Sequence, residues 1–581
     1  MCGIVGYLGQ KIEANWLVGI LKKLEYRGYD SSGLAGFNEN GLKIIKKTGQ
    51  IKNLEEALPK TWEIELGVAH TRWATHGVPS EQNAHPHISG DGKWALVHNG
   101  IIENADHLKK HYCLKPKGET DTEVLTEFLA LKSPKTLQEF VRVFDEVEGS
   151  YAIICQNTSE KKLYLAKKAS PLYVAEDLKH NFLIASDPIC FSSFANTSFM
   201  LQDGVFGEID AHKIAFCDER GNERNLEKIN LENCQVVCKE TAVESFMLKE
   251  IFDQPIALRR QVENYQKNKV LDRFDKEFIK KFNKVILVGC GSAYHAGLVG
   301  AKYFQEVLGI SSQALVASEF VYNKNVFDNK TLFVLISQSG ETADTINALK
   351  IIKEKNVFTV AVTNVAYSSL AQKVDVVVDI CAGPEIAVAS TKAYVCMLSA
   401  IYLMVMQMNG QAQKAFKEIE DAATKLLDFD FEKVESLART LKNQNIVVML
   451  GKNFDYVTAL EASLKLKEIA YIYTMALPSG ELKHGYLALV ESGTQILSFA
   501  TQKVLMQKNI NAGLEAESRG GVVTLVSPWA KEEQIKLKET NHLIMPIVSI
   551  VPMQYLAYRV SILKGLSPDK PRNLAKSVTV E

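Results

Sequence analysis

Several short segments carry side chains that could do chemistry, and the second residue is the most informative of them. The sequence opens Met1-Cys2-Gly3, and a side chain as small as that of Cys2 permits removal of the initiator methionine. Cys2 would then carry both a thiol and a free α-amine, which titrates at about pH 8. Nucleophile and general base would share one residue, as in N-terminal-nucleophile hydrolases. Taken alone, Cys2 more often marks an ordinary exposed start of a strand, and the rest of the chain is needed to favour the catalytic interpretation.

A second group of residues could bind an amino acid beside that thiol. The guanidinium of Arg72 suits a carboxylate, because it donates in a bidentate fork, and Asp121 suits an ammonium group. The Asn99 amide and the Gly100 backbone N–H could hold an oxyanion, where each donor is worth about 2.7–4 kcal/mol. Each has a plainer interpretation as a salt bridge, a helix cap or a turn. Together with Cys2 they predict a pocket for a zwitterionic amino acid next to an acyl-accepting thiol.

A third segment, residues 337–342 (SQSGET), is suited to holding a phosphate between an apolar run and a helical pattern. A helix N-terminus offers unpaired N–H groups and the positive end of the helix dipole. The hydroxyls add donors, and glycine lets the backbone approach closely. The P-loop lysine is missing, and a hydroxyl-rich helix cap is the alternative. Residues 388–392 (VASTK) also precede a helix, and Ser292 follows an apolar run, so all three lie where strands of α/β sheets end and bind ligands.

Three titratable groups lie nearer the C-terminus. Lys465 and Glu468 are three residues apart on a helical pattern and share a face, which by default is a solvated salt bridge. His484 lies in a loop bracketed by glycines, which indicates a close approach of the backbone. Lys576 lies in a C-terminal segment that is apolar enough to be held down. Burial lowers the pKa of an amine, so Lys576 is a candidate nucleophile.

The elements that must position these residues change along the chain. Residues 2–210 contain short runs that alternate at period two, with two helical stretches, and predict a strand-rich α+β unit. Residues 211–275 are charged and helical and are interpreted as a linker, with a helix over 243–262 that breaks at Pro255. Farther on, buried runs alternate with helical patterns, which predicts parallel, doubly wound sheets.

The parallel-sheet pattern occurs twice, which predicts a duplicated domain at 276–414 and 433–571, followed by a tail at 572–581. The second copy has Ser498-Phe499-Ala500 where the first has Ser337-Gln338-Ser339, so only the first keeps its hydroxyls. The matching runs are 284–289 with 446–451, 331–337 with 494–498, and 357–363 with 522–526, and their last residues are 161 to 163 residues apart.

Length and composition exclude several classes of protein. A chain of 581 residues is too long for one core and predicts about three domains. The net charge of -1 gives no electrostatic case for nucleic acid or an anionic membrane. No secretion signal or membrane-length apolar run is recognisable, and the ten cysteines lack metal spacing, so those other than Cys2 are expected to be mostly reduced core thiols. We therefore expect a cytoplasmic enzyme without metal or cofactor.

The assembled motifs resemble the glutamine–fructose-6-phosphate aminotransferase (isomerizing) family, also called glucosamine-6-phosphate synthases, from Cys2 to Glu581. One such motif is only suggestive, whereas nine in the family's order are highly specific. The nine are CGIVGY, YRGYDSSG, HTRWATHG, HNG, GETDTE, SQSGETADT, VASTKA, GELKHG and PRNLAKSVTVE.

The resemblance implies a fold and an activity. It implies an α+β class II glutamine amidotransferase domain of the Ntn-hydrolase type, followed by two α/β sugar isomerase (SIS) domains. The implied reaction converts fructose 6-phosphate and L-glutamine to glucosamine 6-phosphate and glutamate, the first step of amino-sugar (UDP-GlcNAc) synthesis. Ammonia made at Cys2 would be channelled to the sugar.

The resemblance also implies roles for the residues of the amidotransferase domain. Cys2 would attack the glutamine amide and release ammonia through a thioester. The remaining implied roles are an oxyanion hole at Asn99 and Gly100, a glutamine clamp at Arg72 and Asp121 with Thr75, His76 and Gly77 around it, a neighbour of the nucleophile at Arg27, and a channel gate at Trp73.

In the sugar isomerase domains, His484 would assist ring opening and Lys576 would form a Schiff base at C2. Glu468 would move the proton between C1 and C2, with Lys465 as its charged neighbour. His484 would act from the neighbouring subunit, which implies a homodimer. The implied phosphate and hydroxyl contacts are Ser292, Ser337, Gln338, Ser339, Thr342, Val388 and Ser390.

The sequence departs from the family at Ala293, where serine is common, at Tyr486, where proline is common, and over 474–477. These changes affect ligand detail rather than the reaction. Two other functions remain as alternatives. A sugar-phosphate sensor would have no use for Cys2, Glu468 and Lys576 together and would usually carry a DNA-binding segment. A glutaminase that feeds a phosphoribosyl transferase would need an acidic phosphoribosyl loop, which the sequence lacks.

Overall fold

A computed structural model describes residues 2–73, 77–211, 213–231, 244–322 and 327–579. The chain divides into two compact units, one formed by the described residues up to 231 together with 575–579, and the other by 244–574. Thr75 and His76, two of the predicted site residues, lie outside the described residues, as do Cys234 and Cys238. All eight cysteines that the structure describes are free thiols.

The first unit contains two antiparallel sheets, as the period-two patterns predict. Among the described residues, the first sheet has the order β14-β11-β9-β10-β1-β4-β2-β3 and the second β13-β12-β8-β7-β6-β5. The strands of the first sheet are β1 (Gly3–Glu13), β2 (Ser31–Asn38), β3 (Gly41–Thr48), β4 (Glu63–Arg72), β9 (Tyr173–Glu176), β10 (Phe182–Ala185), β11 (Thr197–Met200) and β14 (Lys228–Asn230). Those of the second are β5 (His87–Ile88), β6 (Trp94–Ile102), β7 (Gly149–Asn157), β8 (Lys162–Lys168), β12 (Val205–Ile209) and β13 (Ile214–Asp218).

A core of apolar side chains lies between these two sheets. Leu66 and Val68 of β4 belong to the same buried cluster as Val97 of β6 and Ile154 of β7. Helices cover the outer faces, with α1 against β1 and β4 and α4 against β6. The unit is therefore a four-layer α/β/β/α sandwich. Its helices are α1 (Ala14–Lys22), α2 (Ile51–Ala57), α3 (Ala105–His111), α4 (Asp121–Lys132) and α5 (Leu137–Val143).

The second unit contains two parallel sheets with the same strand order, β16-β15-β17-β18-β19 and β21-β20-β22-β23-β24. Even the turn after the first strand is repeated, because Gly291 and Asn453, 162 residues apart, both have left-handed φ angles, of 54° and 56°. The predicted duplication and the predicted parallel sheets are confirmed. The strands are β15 (Lys284–Gly289), β16 (Ser311–Val316), β17 (Thr331–Ser337), β18 (Phe358–Thr363), β19 (Val376–Asp379), β20 (Ile446–Gly451), β21 (Tyr473–Pro478), β22 (Gln495–Phe499), β23 (Val522–Ser527) and β24 (Ile535–Lys536).

Helices from both copies pack into one shared core in this unit. The helix α12 is buried along almost its whole length, and it contacts α8 of the first copy. The helix α8 in turn contacts α15 of the second copy. The helices are α6 (Phe246–Asn268), α7 (Lys276–Ile279), α8 (Ser292–Leu308), α9 (Ala317–Phe320), α10 (Ala343–Lys353), α11 (Ser369–Lys373), α12 (Lys392–Met408), α13 (Ala412–Lys425), α14 (Phe431–Leu441), α15 (Phe454–Ala470), α16 (Met506–Glu517), α17 (Met545–Ser549) and α18 (Val551–Leu563).

The predicted break at Pro255 does not occur, because α6 continues through it. Proline has no N–H, so the carbonyl of Ile251, four residues earlier, loses its helical donor. The side chain of Gln254 replaces that donor, with its Nε2 3.1 Å from the Ile251 oxygen. Farther along the same helix, Gln261 Nε2 donates to the carbonyls of Ile380 and Cys396 at 2.9 and 3.0 Å. This part of the predicted linker is thus packed into the second unit.

Among the described residues, one helical stretch, Met545–Leu563, has the length and apolarity that a membrane span requires. Within that stretch, 78% of the apolar window is buried inside the protein. It packs against α14 and α15, as a core helix does.

Candidate active sites

The thiol of Cys2 lies beside the backbone at the end of β4 in the first unit. Its Sγ is 3.2 Å from the Trp73 nitrogen, whose N–H donates to it, and 3.5 Å from the Trp73 carbonyl oxygen. Burial raises the pKa of the Cys2 thiol. A thiol in this environment needs a base to become a nucleophile, which is the role predicted for the α-amine.

Asn99 reaches Cys2 from the second sheet, as predicted. Its side-chain amide donates to the Cys2 carbonyl oxygen at 3.0 Å, and Asn99 is buried. The next residue, Gly100, has a φ of 140°, where a side chain would overlap the carbonyl oxygen of Ser150. Only glycine fits this backbone position. The strand β6 therefore places an amide side chain against the backbone of Cys2, followed directly by a position that requires glycine.

The two predicted clamp residues lie at the ends of their elements. Arg72 is the last residue of β4 and is buried. Burial lowers the pKa of Arg72, and the negative charges of Cys2 and Asp121 oppose that effect. Asp121 begins α4, and its carboxylate accepts the N–H groups of Ile102 and Thr122 at 2.7 and 2.9 Å. The Asp121 charge is thus fixed in place by backbone donors.

Arg27, the predicted neighbour of the nucleophile, forms a buried ion pair that the sequence did not reveal. Its guanidinium lies 2.5 Å from Asp187, and Tyr26 donates to the same carboxylate at 2.7 Å. Arg27 also donates to the Tyr26 oxygen at 3.1 Å. Gly77, on the other side of the undescribed residues, has a φ of 75°, and a side chain at this position would overlap that of Asn83.

Four buried histidines support this region without having been predicted. The rings of His70 and His85 are 4.2 Å apart, and His85 and His87 are 4.9 Å apart. His70 Nε2 contacts the His98 carbonyl at 3.1 Å, and His98 Nδ1 contacts the Thr122 hydroxyl at 2.9 Å. Burial lowers the pKa of His70 to about 3, so this imidazole is neutral at pH 7.

In the second unit, the predicted phosphate segment forms a tight turn between β17 and α10. The Ser337 hydroxyl accepts the Gly340 N–H at 3.0 Å and contacts the Thr342 hydroxyl at 3.0 Å. The Ser339 hydroxyl accepts the Glu341 N–H at 3.1 Å, and Gln338 is half-buried. The hydroxyls predicted to hold a phosphate are thus gathered at one helix N-terminus.

Two buried carboxylates fix the loop before α12, where Val388 and Ser390 lie. Glu385 accepts the N–H groups of Thr391 and Ala393, both at 2.9 Å, and the Ser390 hydroxyl at 3.2 Å. Glu250 of α6 accepts the Ala387 N–H at 3.2 Å. The sequence did not identify either glutamate as a site residue, because an acidic residue outside a recognisable motif does not indicate a function.

The predicted salt bridge of Lys465 is buried rather than solvated. Lys465 Nζ lies 2.7 Å from Glu468, 3.3 Å from Glu461 and 3.1 Å from the Ser292 hydroxyl. Burial lowers the pKa of Lys465, but the two carboxylates outweigh burial and hold it above its ordinary value. The partner that the sequence did not identify, Glu461, lies one helical turn before Lys465.

Glu461 also contacts the first copy. It accepts from the Ser292 hydroxyl at 2.8 Å and lies 2.7 Å from His295 Nδ1. Burial raises the pKa of Glu461, but Lys465 and His295 outweigh burial, so the pKa lies below its ordinary value. Ser292, Lys465 and Glu468, which the sequence predicted separately, therefore belong to one cluster.

The two remaining candidates lie in irregular segments. His484 is exposed and precedes Gly485, which has a φ of 109°. Lys576 is half-buried and is followed by buried Ser577, in agreement with a C-terminal segment that is held down.

In the second copy, the strand ends that correspond to the phosphate turn of the first copy are occupied by a side chain of the protein itself. Asp455, which matches Ala293 at the offset of 162 residues, is buried and accepts the Thr501 N–H at 3.1 Å and an Asn509 N–H at 3.2 Å. Burial raises the pKa of Asp455 to about 6. Among the described residues, the Ser337–Thr342 turn thus has no hydroxyl-rich counterpart in the second copy.

Comparisons with known proteins match both units. A family model described as a glutamine amidotransferase domain matches residues 70–193, and one described as an SIS domain matches 278–407 and 440–564. Proteins named glutamine–fructose-6-phosphate aminotransferase (isomerizing) from Clostridium tetani and Caldanaerobacter subterraneus are each 40% identical over the full length of both chains. The solved C-terminal domain of glucosamine-fructose-6-phosphate aminotransferase from Francisella tularensis is 31% identical, with a TM-score of 0.53, and covers 57% of this chain and 100% of its own.

The glycine at the phosphate turn provides a direct test of that turn. Gly340 has a φ of 65°, and a side chain there would overlap the Ser368 hydroxyl. A left-handed alanine costs about 1–2 kcal/mol, so we expect Gly340→Ala to weaken binding of a hexose 6-phosphate about tenfold or more in calorimetric titration. Gly493→Ala is the matched control, because Gly493 has a φ of 88° and open space around it. Equal affinity in the two variants would contradict the assignment of the turn.

Proposed function

Because this chain belongs to the glutamine–fructose-6-phosphate aminotransferases (isomerizing), to two of which it is 40% identical over its full length, we propose that its two units divide the family's reaction between them. The reaction converts D-fructose 6-phosphate and L-glutamine to D-glucosamine 6-phosphate and L-glutamate. One observation carries the assignment: the chain in which Asn99 donates to the backbone of half-buried Cys2 also has a hydroxyl-lined turn and an ion pair between completely buried Lys465 and Glu468.

In the first unit, the Cys2 thiol attacks the side-chain amide carbon of glutamine. The α-amine that removal of Met1 exposes takes the thiol proton and passes it to the leaving ammonia. Asn99 and the Gly100 N–H bind the oxyanion of each tetrahedral intermediate. Water then hydrolyses the thioester to glutamate. The support for this assignment is the 3.0 Å contact that brings the Asn99 amide to Cys2.

Arg72 binds the α-carboxylate of glutamine and Asp121 its ammonium group. The support is geometric. Arg72 directly precedes Trp73, whose N–H donates to the Cys2 thiol, and Asp121 accepts the N–H of Ile102 in β6, the strand that carries Asn99. Arg27, held by Asp187, borders the nucleophile, and Trp73 gates the passage of ammonia. We also assign Thr75, His76 and Gly77 to the glutamine pocket, on the resemblance alone.

In the second unit, Ser337, Gln338, Ser339 and Thr342 hold the phosphate, and Ser292, Ser390 and the backbone at Val388 hold sugar hydroxyls. His484 assists ring opening. On the resemblance alone, we assign the Schiff base at C2, which ammonia displaces, to Lys576 of the C-terminal segment, which is grouped with the first unit. Glu468 carries the proton from C1 to C2, which converts the ketose skeleton to the aldose. Lys465 stabilises the ionised Glu468, 2.7 Å away, between proton transfers.

We propose a homodimer in which His484 serves the sugar site of the other subunit. The support is its exposure, in contrast to the complete burial of Lys465. We further propose, on the resemblance to the family, that the enzyme works in the cytoplasm.

The nucleophile is tested by Cys2→Ala. We expect glutamate release and glucosamine 6-phosphate formation from glutamine to fall to background, because no other group can form the thioester. Cys113→Ala, at an exposed thiol, is the control and should keep both activities. Intact mass should show active protein without Met1. Glutamine hydrolysis by protein that retains Met1 would refute the assignment.

The Schiff base is tested by Lys576→Ala. We expect this variant to hydrolyse glutamine but to form no glucosamine 6-phosphate. Borohydride with labelled fructose 6-phosphate should label Lys576 in the unaltered chain and in Lys467→Ala, a control at an exposed lysine. Label on a different lysine would show that the Schiff base forms elsewhere.

The shared sugar site is tested by mixing two inactive chains. Co-expressed His484→Ala and Lys465→Ala chains should regain about a quarter of the synthase activity, because half of a random dimer mixture is mixed and each mixed twofold dimer has one intact site. Each variant alone should be inactive for synthesis. No recovery in purified mixed dimers would place His484 in its own subunit's site.

A further inference from the structure

The buried cluster at the sugar site includes a histidine to which neither the sequence nor the comparisons assign a role. His295 lies on α8 of the first copy, and its Nδ1 is 2.7 Å from Glu461 on α15 of the second copy. Only 12% of the His295 side chain is exposed, and Glu461 is completely buried. A buried carboxylate is stable only with partners, and His295 is the partner contributed by the first copy together with Ser292.

The charges of the cluster show why this partner matters. Glu461 and Lys465 have no exposed side-chain surface, and Glu468 is 22% exposed. Two ionised carboxylates and one ammonium leave a net negative charge, which is costly in a buried site. A donor at His295 disperses that charge over a fourth group. The other groups that face this region are Tyr294 on the same helix, with its ring 5.9 Å from the imidazole, and Tyr394 of α12, which faces Glu461.

We propose that His295 is a positioning residue for proton transfer: by donating from Nδ1 it keeps Glu461 ionised, so that Lys465 is shared between Glu461 and Glu468. This inference rests on the proposed role of Glu468 as the group that moves the substrate proton. The sharing of Lys465 affects the strength of Glu468 as a base. When Lys465 is shared, its charge stabilises the Glu468 carboxylate less, so Glu468 remains basic enough to accept a proton from C1.

Loss of the donor changes the cluster in a definite direction. Without His295, Glu461 takes up a proton, because an under-partnered buried carboxylate avoids its charge. Lys465 then pairs with Glu468 alone, which lowers the pKa of Glu468 and weakens it as a base. The phosphate turn at 337–342 lies on another element and keeps its hydrogen bonds, so substrate affinity should change little.

Two substitutions separate donation from mere packing. His295→Asn keeps an N–H donor near the position of Nδ1 but cannot titrate, whereas His295→Leu removes the donor. Synthesis and glutamate release are measured across pH with saturating glutamine. We expect His295→Leu to reduce the kcat of synthesis by about 10- to 100-fold, the size of effect typical of small misplacements at a reacting centre. KM for fructose 6-phosphate should change less than threefold, as expected when the binding contacts remain.

The pH profile provides the readout that a purely structural role would not move. In His295→Leu the acid limb of kcat should shift to lower pH, because the pKa of Glu468 falls, whereas His295→Asn should keep the limb and most of kcat. His542→Leu is the matched control, since His542 forms an exposed pair with Glu306 of the same helix α8. Its activity should be unchanged.

Two results of these assays would contradict the proposed role of His295. The proposal is wrong if His295→Leu keeps the unaltered kcat and acid limb, or if the Asn and Leu variants lose activity equally without any shift. Glu468→Gln is measured in the same assay: synthesis that survives in that variant would refute the proposed role of Glu468 itself, independently of His295.

Discussion

The second unit depends on the burial of Lys465 between two carboxylates. Removing an ion from water costs several kcal/mol, and removing one partner of a buried pair costs about 3–5 kcal/mol. Lys465 is tolerated because Glu461 and Glu468 lie one turn away on either side of it, at 3.3 and 2.7 Å. Glu461 in turn needs donors, and these come from α8 of the other copy. The duplicated domains therefore need each other electrostatically as well as through their shared apolar core.

That mutual dependence gives a physical reason for the divergence of the two copies. Both begin with a strand, a left-handed residue and a helix, at Gly291 in one and Asn453 in the other. The first copy has a small residue, Ala293, after that turn. The second places Asp455 there, and Asp455 consumes the donors of Thr501 and Asn509. An internal carboxylate thus occupies the place of an anion, and the helix that it begins, α15, instead supplies Glu461, Lys465 and Glu468.

Patterns in the sequence predicted what is local or repeated, and they missed what is made by long-range contact. The strand runs and the Ser337–Thr342 turn were predicted because periodicity and helix capping are local properties. The duplication was predicted because its strand patterns recur at a nearly constant offset. Cys2 and Asn99 are 97 residues apart, and only the order of the motifs indicated that they meet. Asp187 and His295 went unnoticed because their partners Arg27 and Glu461 are 160 and 166 residues away in the chain. Glu385 went unnoticed because it lies outside any recognisable motif. The expected break at Pro255 was wrong because the compensating donor, Gln254, is a side chain that the backbone rule does not consider.

The first unit must also accommodate ionisable groups in a buried site, and it does so differently from the second unit. Burial raises the pKa of the Cys2 thiol and lowers the pKa of the buried His70 imidazole to about 3, so burial favours the neutral form of both groups. The fixed charges that act on one another here are those of Arg72 and Asp121, the two groups proposed to meet the charged ends of glutamine. The thiol would then remain protonated until an amino acid balances those charges and the α-amine removes its proton. In the second unit, by contrast, the ionised groups are partnered by the protein itself, because Glu461 and Glu468 share Lys465, and Ser292 and His295 contact Glu461.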